Sequence, residues 1–409
     1  MNIRNIDRRL LTILLIVFVQ MLGASLILPI LPLYARREFS MSPQTITLLV
    51  SSFFAAQFLS GPTIGRLSDR YGRVPILIIS QIGTVISFLM LAFAGSVEML
   101  FAARILDGIT GGNIIVAQAY ITDITPKEKR TESLGYIFAA FGLGFVIGPA
   151  LGGGLSALYG IIVPFLLAAV AASVVVVLTW FTLDESVSAE ERLKRREQRR
   201  SSLRVQEIVR NSPLLMLLVI AFVGQFVLGM VQGTFALYGE AVLFTEYDES
   251  LTNLGVGLLL AVIGGSQFLT QTFLLRRLLA RFSELSLVIA GSVLRAIAMF
   301  IFAVITTPWL GIPGSAFFAV GMGIMMPPLQ SMATRTVDDE DRGAVLGVYQ
   351  SSVSLSTIFS TAIAGFWFGI SPTLPYWVGG GLALVVILPA LLLTRHPQLT
   401  TKATVASKA

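Results

Sequence analysis

Arg104 and Asp107 stand three residues apart in a long apolar stretch, and Arg295 stands alone in another. Charged groups at the centre of a membrane span cost about 2.5 to 3.5 kcal/mol each on insertion scales, so they are expected to pair or to face a water-filled interior. The spacing puts Arg104 and Asp107 on one helix face, where they can pair directly. Two kinds of chemistry fit. Asp107 can take up and release a proton, with Arg104 holding the carboxylate ionised until a bound molecule or a change of shape separates them. Alternatively, the two form a permanent structural ion pair near the membrane surface. A second constellation runs from Gly65 to Arg73, with Gly65, Asp69, Arg70, Gly72 and Arg73 in nine residues. It reads as a charged turn between two apolar runs, its glycines permitting close backbone approach or positive φ. Asp69 suits a latch, accepting hydrogen bonds from the N-terminus of a span starting near Gly343. A loop marked only by the positive-inside rule would explain the arginines but not Asp69.

The elements that carry these groups follow from composition. Of 409 residues, 55% are hydrophobic and 13% charged, with a mean hydropathy of +0.82; a soluble chain carries about 25% charged residues. Apolar runs long enough to cross a bilayer recur at about 10–34, 45–65, 74–95, 99–121, 134–157, 161–182, 214–238, 252–275, 285–305, 310–333, 344–368 and 374–394. The expected fold is an all-α membrane protein of twelve transmembrane helices. No small-residue cleavage site follows the first run, which continues through Pro29 and Pro32 and reads as a retained span. Placing both termini in the cytoplasm puts nearly all of the 29 Lys and Arg residues on that side and leaves Arg36 and Arg37 opposite. That topology accounts for the net charge of +6 without nucleic acid.

Between Asp184 and Arg210 the composition becomes polar and basic, as in Glu190 to Arg200, dividing the chain into an N-terminal bundle (1–183), a cytoplasmic linker (184–212) and a C-terminal bundle with a short tail (213–409). The halves are related: Arg130 and Arg342, Gly135 and Gly347, and Gln118 and Gln330 share an offset of 212. A repeat in one orientation predicts two pseudo-symmetric six-helix bundles with a substrate site between them near the bilayer midplane.

Other chemistry is poorly supplied. Cysteine is absent and the single histidine, His396, follows the last span, so the common metal sites and histidine-based hydrolysis have no ligands or base. There is no phosphate-binding Gly-x-x-x-x-Gly-Lys-Ser/Thr loop. The chain is read as no enzyme, with no catalytic residues, no metal and no cofactor. Gly144, Gly148, Pro149, Gly152 and Gly153 strip bulk from one helix face, predicting a close crossing and a hinge. Polar residues within apolar helices need a partner or water, which makes Gln20, Asn113, Gln118, Gln225, Gln232 and Gln330, with Arg295, candidates for contacting substrate. Each amide serves equally as interhelical glue. Phe226, Phe235, Met230 and Met326 supply adaptable apolar surface nearby, and Pro327 and Pro328 interrupt the tenth span beside Gln330.

Three motifs carry a resemblance that runs over essentially the whole chain: Gly65 to Arg73, Arg104-Ile-Leu-Asp-Gly108-Ile-Thr-Gly-Gly112, and Gly144-Phe-Val-Ile-Gly-Pro-Ala-Leu-Gly-Gly153. They resemble the loop, fourth-span and fifth-span motifs of major facilitator superfamily transporters of the drug/proton antiporter type, and the chain is similar to bacterial tetracycline antiporters. The resemblance implies the major facilitator fold, a bacterial-type inner membrane, a functional monomer, and pairing of Arg73 with an acid at the end of span four, where Asp123 stands. It also shows departures. Gln20 stands where those antiporters carry a first-span aspartate, Ser87 replaces an acid, Gln267 replaces a histidine, and Arg295 replaces an aspartate. The expected function is export of a small amphipathic compound by alternating access, driven by the proton gradient. The alternatives are a lipid or lysolipid transporter or flippase, suited by the positive charge of Arg295, and a proton-coupled importer or facilitator.

Overall fold

The computed structural model describes residues 8–111, 113–125, 130–186, 211–337 and 342–394. Most of the linker expected over 184–212 therefore lies outside the described residues, as does His396. Among the described residues all regular structure is helical. The first half of the chain forms α1 (Arg8–Phe39), α2 (Pro43–Tyr71), α3 (Arg73–Ala92), α4 (Val97–Thr110), α5 (Asn113–Ile124), α6 (Arg130–Tyr159) and α7 (Val163–Thr182). The second forms α8 (Ser212–Tyr238), α9 (Glu249–Leu269), α10 (Leu275–Arg281), α11 (Glu284–Val304), α12 (Pro308–Thr334), α13 (Arg342–Ile370), α14 (Leu374–Val385) and α15 (Ile387–Leu393). Single π turns, Gly239–Leu243 and Thr270–Leu274, follow α8 and α9. Among the described residues twelve stretches are long and apolar enough to span a membrane, with α4 and α5, α9 and α10, and α14 and α15 each forming one span.

Local chemistry sets several of the helix starts. Ser96, Asn211 and Ser283 accept hydrogen bonds from the backbone N–H groups of Met99, Leu214 and Ser286 and so cap α4, α8 and α11. Pro43, Pro164, Pro213 and Pro308 fall in the first turn of their helices, where a missing N–H costs nothing. The Gly65–Arg73 segment departs from the expected turn: α2 continues through Tyr71, α3 begins at Arg73, and the break between them is the single residue Gly72 at φ 109°. Its charges decorate a helix end, and Gly65 has open space where a Cβ would sit.

The chain forms two compact units, Met1–Met41, Leu49–Arg199 and Asp248–Ala261 in one, and Ser42–Leu48, Arg200–Tyr247 and Val262–Ala409 in the other. Two short segments, Ser42–Leu48 and Asp248–Ala261, thus group with the opposite half of the sequence. Inside the first unit α1 packs on α6, α3 on α7 and α3 on α4; inside the second α8 packs on α13, α11 on α14 and α11 on α12. These are equivalent pairings, so the sequence repeat is also a repeat of packing. Each unit has its own apolar core, the first built around Ile13, Ile16, Leu77, Val116 and Tyr120 and the second around Leu217, Ile220, Val288, Leu329 and Val345.

Candidate functional site

In the first unit Arg104 and Asp107 are buried on α4, and Arg104 Nη1 donates to Asp107 Oδ2 at 2.7 Å. The guanidinium also lies 4.1 Å over the Phe53 ring, which supplies further stabilisation to a cation out of water. Arg104 Nε and Asp107 Oδ1 have no hydrogen-bond partner among the described residues. The carboxylate is therefore held by one oxygen and unengaged at the other. Tight backbone packing fixes the helix that carries it: a Cβ on Gly108 would collide with the Phe53 carbonyl and with Ala56, both on α2.

At the start of α3 Arg73 gathers a second cluster. Its Nη1 lies 2.6 Å from Asp69 Oδ1 and donates to Ser68 Oγ at 2.7 Å, while its Nε donates to Asp123 Oδ2 at 3.1 Å. The expected pairing of Arg73 with Asp123 is present. Arg70 instead stacks over Tyr71 at 5.1 Å. Glu185, which sequence reasoning missed, folds back from beyond α7 so that its carboxylate accepts the N–H groups of Arg73 and Val74 at 2.8 and 3.3 Å. That caps the α3 N-terminus with negative charge, where the helix dipole favours it. Ser186 adds a hydrogen bond to Asp123 at 3.3 Å.

The second unit repeats the arrangement with its charges exchanged. Glu284 begins α11 as Arg73 begins α3, and it pairs with Arg335 at the end of α12. Arg335 lies at the 212 offset from Asp123. Ser331 donates to the same glutamate at 3.1 Å.

The glycines of α6 serve two neighbours. A Cβ at Gly144 would approach the Phe18 carbonyl to 2.7 Å, one at Gly152 the Leu26 carbonyl to 2.5 Å, and one at Gly148 would overlap Ser25 Oγ. These three residues, four apart, bring the α6 backbone against α1, and Ser25 Oγ donates across the contact to the Gly144 carbonyl at 2.9 Å. Gly153 and the Pro149 carbonyl face Asn253 and Gly257 of α9 instead. There Asn253 donates to Ser156 Oγ at 2.9 Å and accepts from Arg37 at 3.1 Å.

The amides are dispersed rather than gathered. Gln225 donates to Thr357 Oγ1 at 3.0 Å, Gln232 has a buried Oε1 with no partner among the described residues, Gln118 is half-buried and Gln330 is exposed. Gln20 lines a small cleft in the first unit. The Asn113 side chain lies outside the described residues. Arg295, 1% exposed, uses Nη2 to donate to the Gly224 carbonyl of α8, with Nη1 3.7 Å from Met325 Sδ and its guanidinium 5.1 Å from the Phe318 ring. No described carboxylate forms an ion pair with it.

Twelve apolar helices in two repeated bundles, with charge buried inside each, define an integral multi-pass membrane transporter. The Major Facilitator Superfamily model matches residues 13–266 and 241–408, and the chain belongs to that family. It is 34% identical to the class C tetracycline resistance protein of Escherichia coli, over 94% of this chain and 96% of that one. It is 27% identical to multidrug resistance protein 2 of Bacillus subtilis (strain 168), over 90% and 91%. Among solved structures, the peptide transporter POT in complex with alafosfalin superposes with a TM-score of 0.82 at 15% identity, over 98% of this chain and 96% of that one, a likeness of fold.

Proposed function

We propose that this protein is a proton-coupled exporter of a small amphipathic molecule, working by alternating access. The observation that carries the proposal is Asp107, buried beside Arg104 with one carboxylate oxygen engaged and the other unengaged. Protonation of Asp107 would cancel its half of the ion pair and change the preferred arrangement around α4. Tetracycline and multidrug resistance proteins among the relatives favour a drug-like cargo and outward transport. The proton gradient is the energy source, and the protein works as a monomer. The bacterial relatives favour a bacterial-type inner membrane, and the distribution of Lys and Arg favours both termini cytoplasmic. In this scheme the cluster of Asp69, Arg73 and Asp123 stabilises one conformational state, and the α6 glycines permit the sliding contact with α1. A lipid-like cargo was suited by Arg295, whose guanidinium is taken up by the Gly224 carbonyl, so the amphipathic reading stands ahead of it.

Inside-out membrane vesicles test the proposal, using a fluorescent amphipathic compound chosen by resistance screening in cells lacking their own exporters. An imposed acid-inside gradient drives uptake into these vesicles, and collapsing the gradient abolishes it. Uptake indifferent to the gradient, or driven only by the opposite one, overturns proton-coupled export.

A further inference from the structure

A proton taken up by Asp107 leaves Arg104 with its charge, because a guanidinium stays protonated when the carboxylate beside it is neutralised. Few groups are placed to hold that charge. Arg104 Nη1 donates to Asp107, and Nε has no hydrogen-bond partner among the described residues. What remains is the ring of Phe53, whose centre lies 4.1 Å from the guanidinium carbon. Phe53 is 8% exposed, so the contact is shielded from water, where a cation is held most strongly over an aromatic face. The ring is also firmly placed. Gln57 Nε2 donates to the Gly111 carbonyl at 3.2 Å and Ser60 Oγ to the Gly108 carbonyl at 3.4 Å, which fastens α2 to α4 just past the charged pair. Between these helices the Phe53 carbonyl lies 2.4 Å from where a Cβ on Gly108 would stand.

We infer that Phe53 is a positioning residue for the charged pair, its ring holding the Arg104 guanidinium when Asp107 is neutral. This rests on the proton coupling proposed above and deepens it. An aromatic face is negative, so it sees the ionised pair as a dipole without net charge and the protonated pair as a full positive charge, and it attracts the second more strongly. Phe53 thus favours the state in which Asp107 carries a proton. Among the described residues the faces packed on this turn carry no other charge: α2 presents Phe53, Ala56, Gln57 and Ser60, and α3 presents Gly83 and Ser87. The remaining charged groups of these helices are Glu98 at the start of α4, Arg66, Asp69 and Arg70 at the end of α2, and Arg73 at the start of α3.

Replacing Phe53 with phenylalanines that carry one, two or three ring fluorines drains the negative face with almost no change of shape, so a ring that only fills space is indifferent to it. Infrared spectroscopy of the full chain in lipid nanodiscs follows the carbonyl stretch of the protonated carboxyl, assigned to Asp107 by its loss in Asp107→Asn. Half-protonation is expected to move to lower pH with each fluorine, by about one pH unit, or tenfold in proton affinity, for the trifluorinated ring. Phe53→Leu, which has no aromatic face, should shift it at least as far, and Phe53→Tyr should leave it nearly in place. The fluorinated chains decide the matter even where Phe53→Leu fails to fold. A midpoint that ignores fluorination or moves to higher pH overturns the role of Phe53 and leaves the export reading standing. Because the measurement reads protonation rather than flux, the expected shift in a chain whose uptake ignores the proton gradient retracts the export reading and leaves Phe53 its role. An Asp107 that takes up no proton overturns both.

Discussion

The two units bury a cation in opposite ways. In the first, Arg104 lies 2.7 Å from Asp107, and the side chains are 8% and 3% exposed. In the second, Arg295 is as deeply buried and has a backbone carbonyl, a thioether and an aromatic ring around it but, among the described residues, no carboxylate in an ion pair. A paired carboxylate can be neutralised by one proton, which makes the pair a two-state element. A guanidinium stays protonated, so a lone one keeps its charge and acts as a fixed strut between helices. The units are alike in packing, and under the proposed mechanism this difference would put proton chemistry in the first and rigidity in the second.

The largest effect that could break this comparison is at the pair. Asp107→Asn removes the ionisable carboxyl group while keeping a hydrogen-bond acceptor for Arg104, and gradient-driven uptake in reconstituted vesicles is expected to fall to the level of empty liposomes. Stability separates mechanism from folding. Asp107→Leu leaves Arg104 as an uncompensated buried charge and should cost about 3 to 5 kcal/mol, whereas Asp107→Leu with Arg104→Met removes both charges and should recover most of that loss. Denaturant titration of the purified variants measures both. Normal coupled uptake by Asp107→Asn would reduce the pair to a structural bond.

A smaller effect is expected at the charge-exchanged clusters. The Arg73 side chain is 10% exposed and meets Asp69, Asp123 and Ser68, while that of Arg335 is 31% exposed and meets Glu284. Arg73→Ala should therefore destabilise by about 3 kcal/mol, as when a buried pair is broken. Arg335→Ala should cost about 1 kcal/mol, nearer a surface pair. Equal losses in thermal or denaturant unfolding would show that the two clusters are energetically equivalent despite their unequal burial.

Much of the fold was legible because a helix that crosses a bilayer must be a long apolar run, and those runs are plain in the sequence. The boundary near Gly65 was not, because arginines and glycines suggest a turn even where they sit on a helix end that has left the apolar region. The pairing of Arg73 with Asp123 was legible through family likeness. The cap by Glu185 was hidden because it joins residues 112 apart with no shared motif. The exchanged cluster was half visible: Arg335 falls on the 212 offset, but Glu284 lies 211 residues from Arg73, one short of the register that would have revealed it.

The smallest expected effect bears on the lone cation. Arg295→Met removes a buried charge that has no counter-ion among the described residues and puts a flexible apolar chain among Met325, Met326 and Phe318. Relief of the desolvation cost opposes loss of the bond to the Gly224 carbonyl, which sits within α8 and keeps its helical environment. The expected net change is within about 1 kcal/mol, against several for Asp107→Leu. Unfolding measured on both variants in the same lipid nanodiscs makes the comparison direct. A loss at Arg295 as large as that at Asp107 would mean that the second unit depends on its buried charge as much as the first, and the division of labour between a switching pair and a fixed strut would fall.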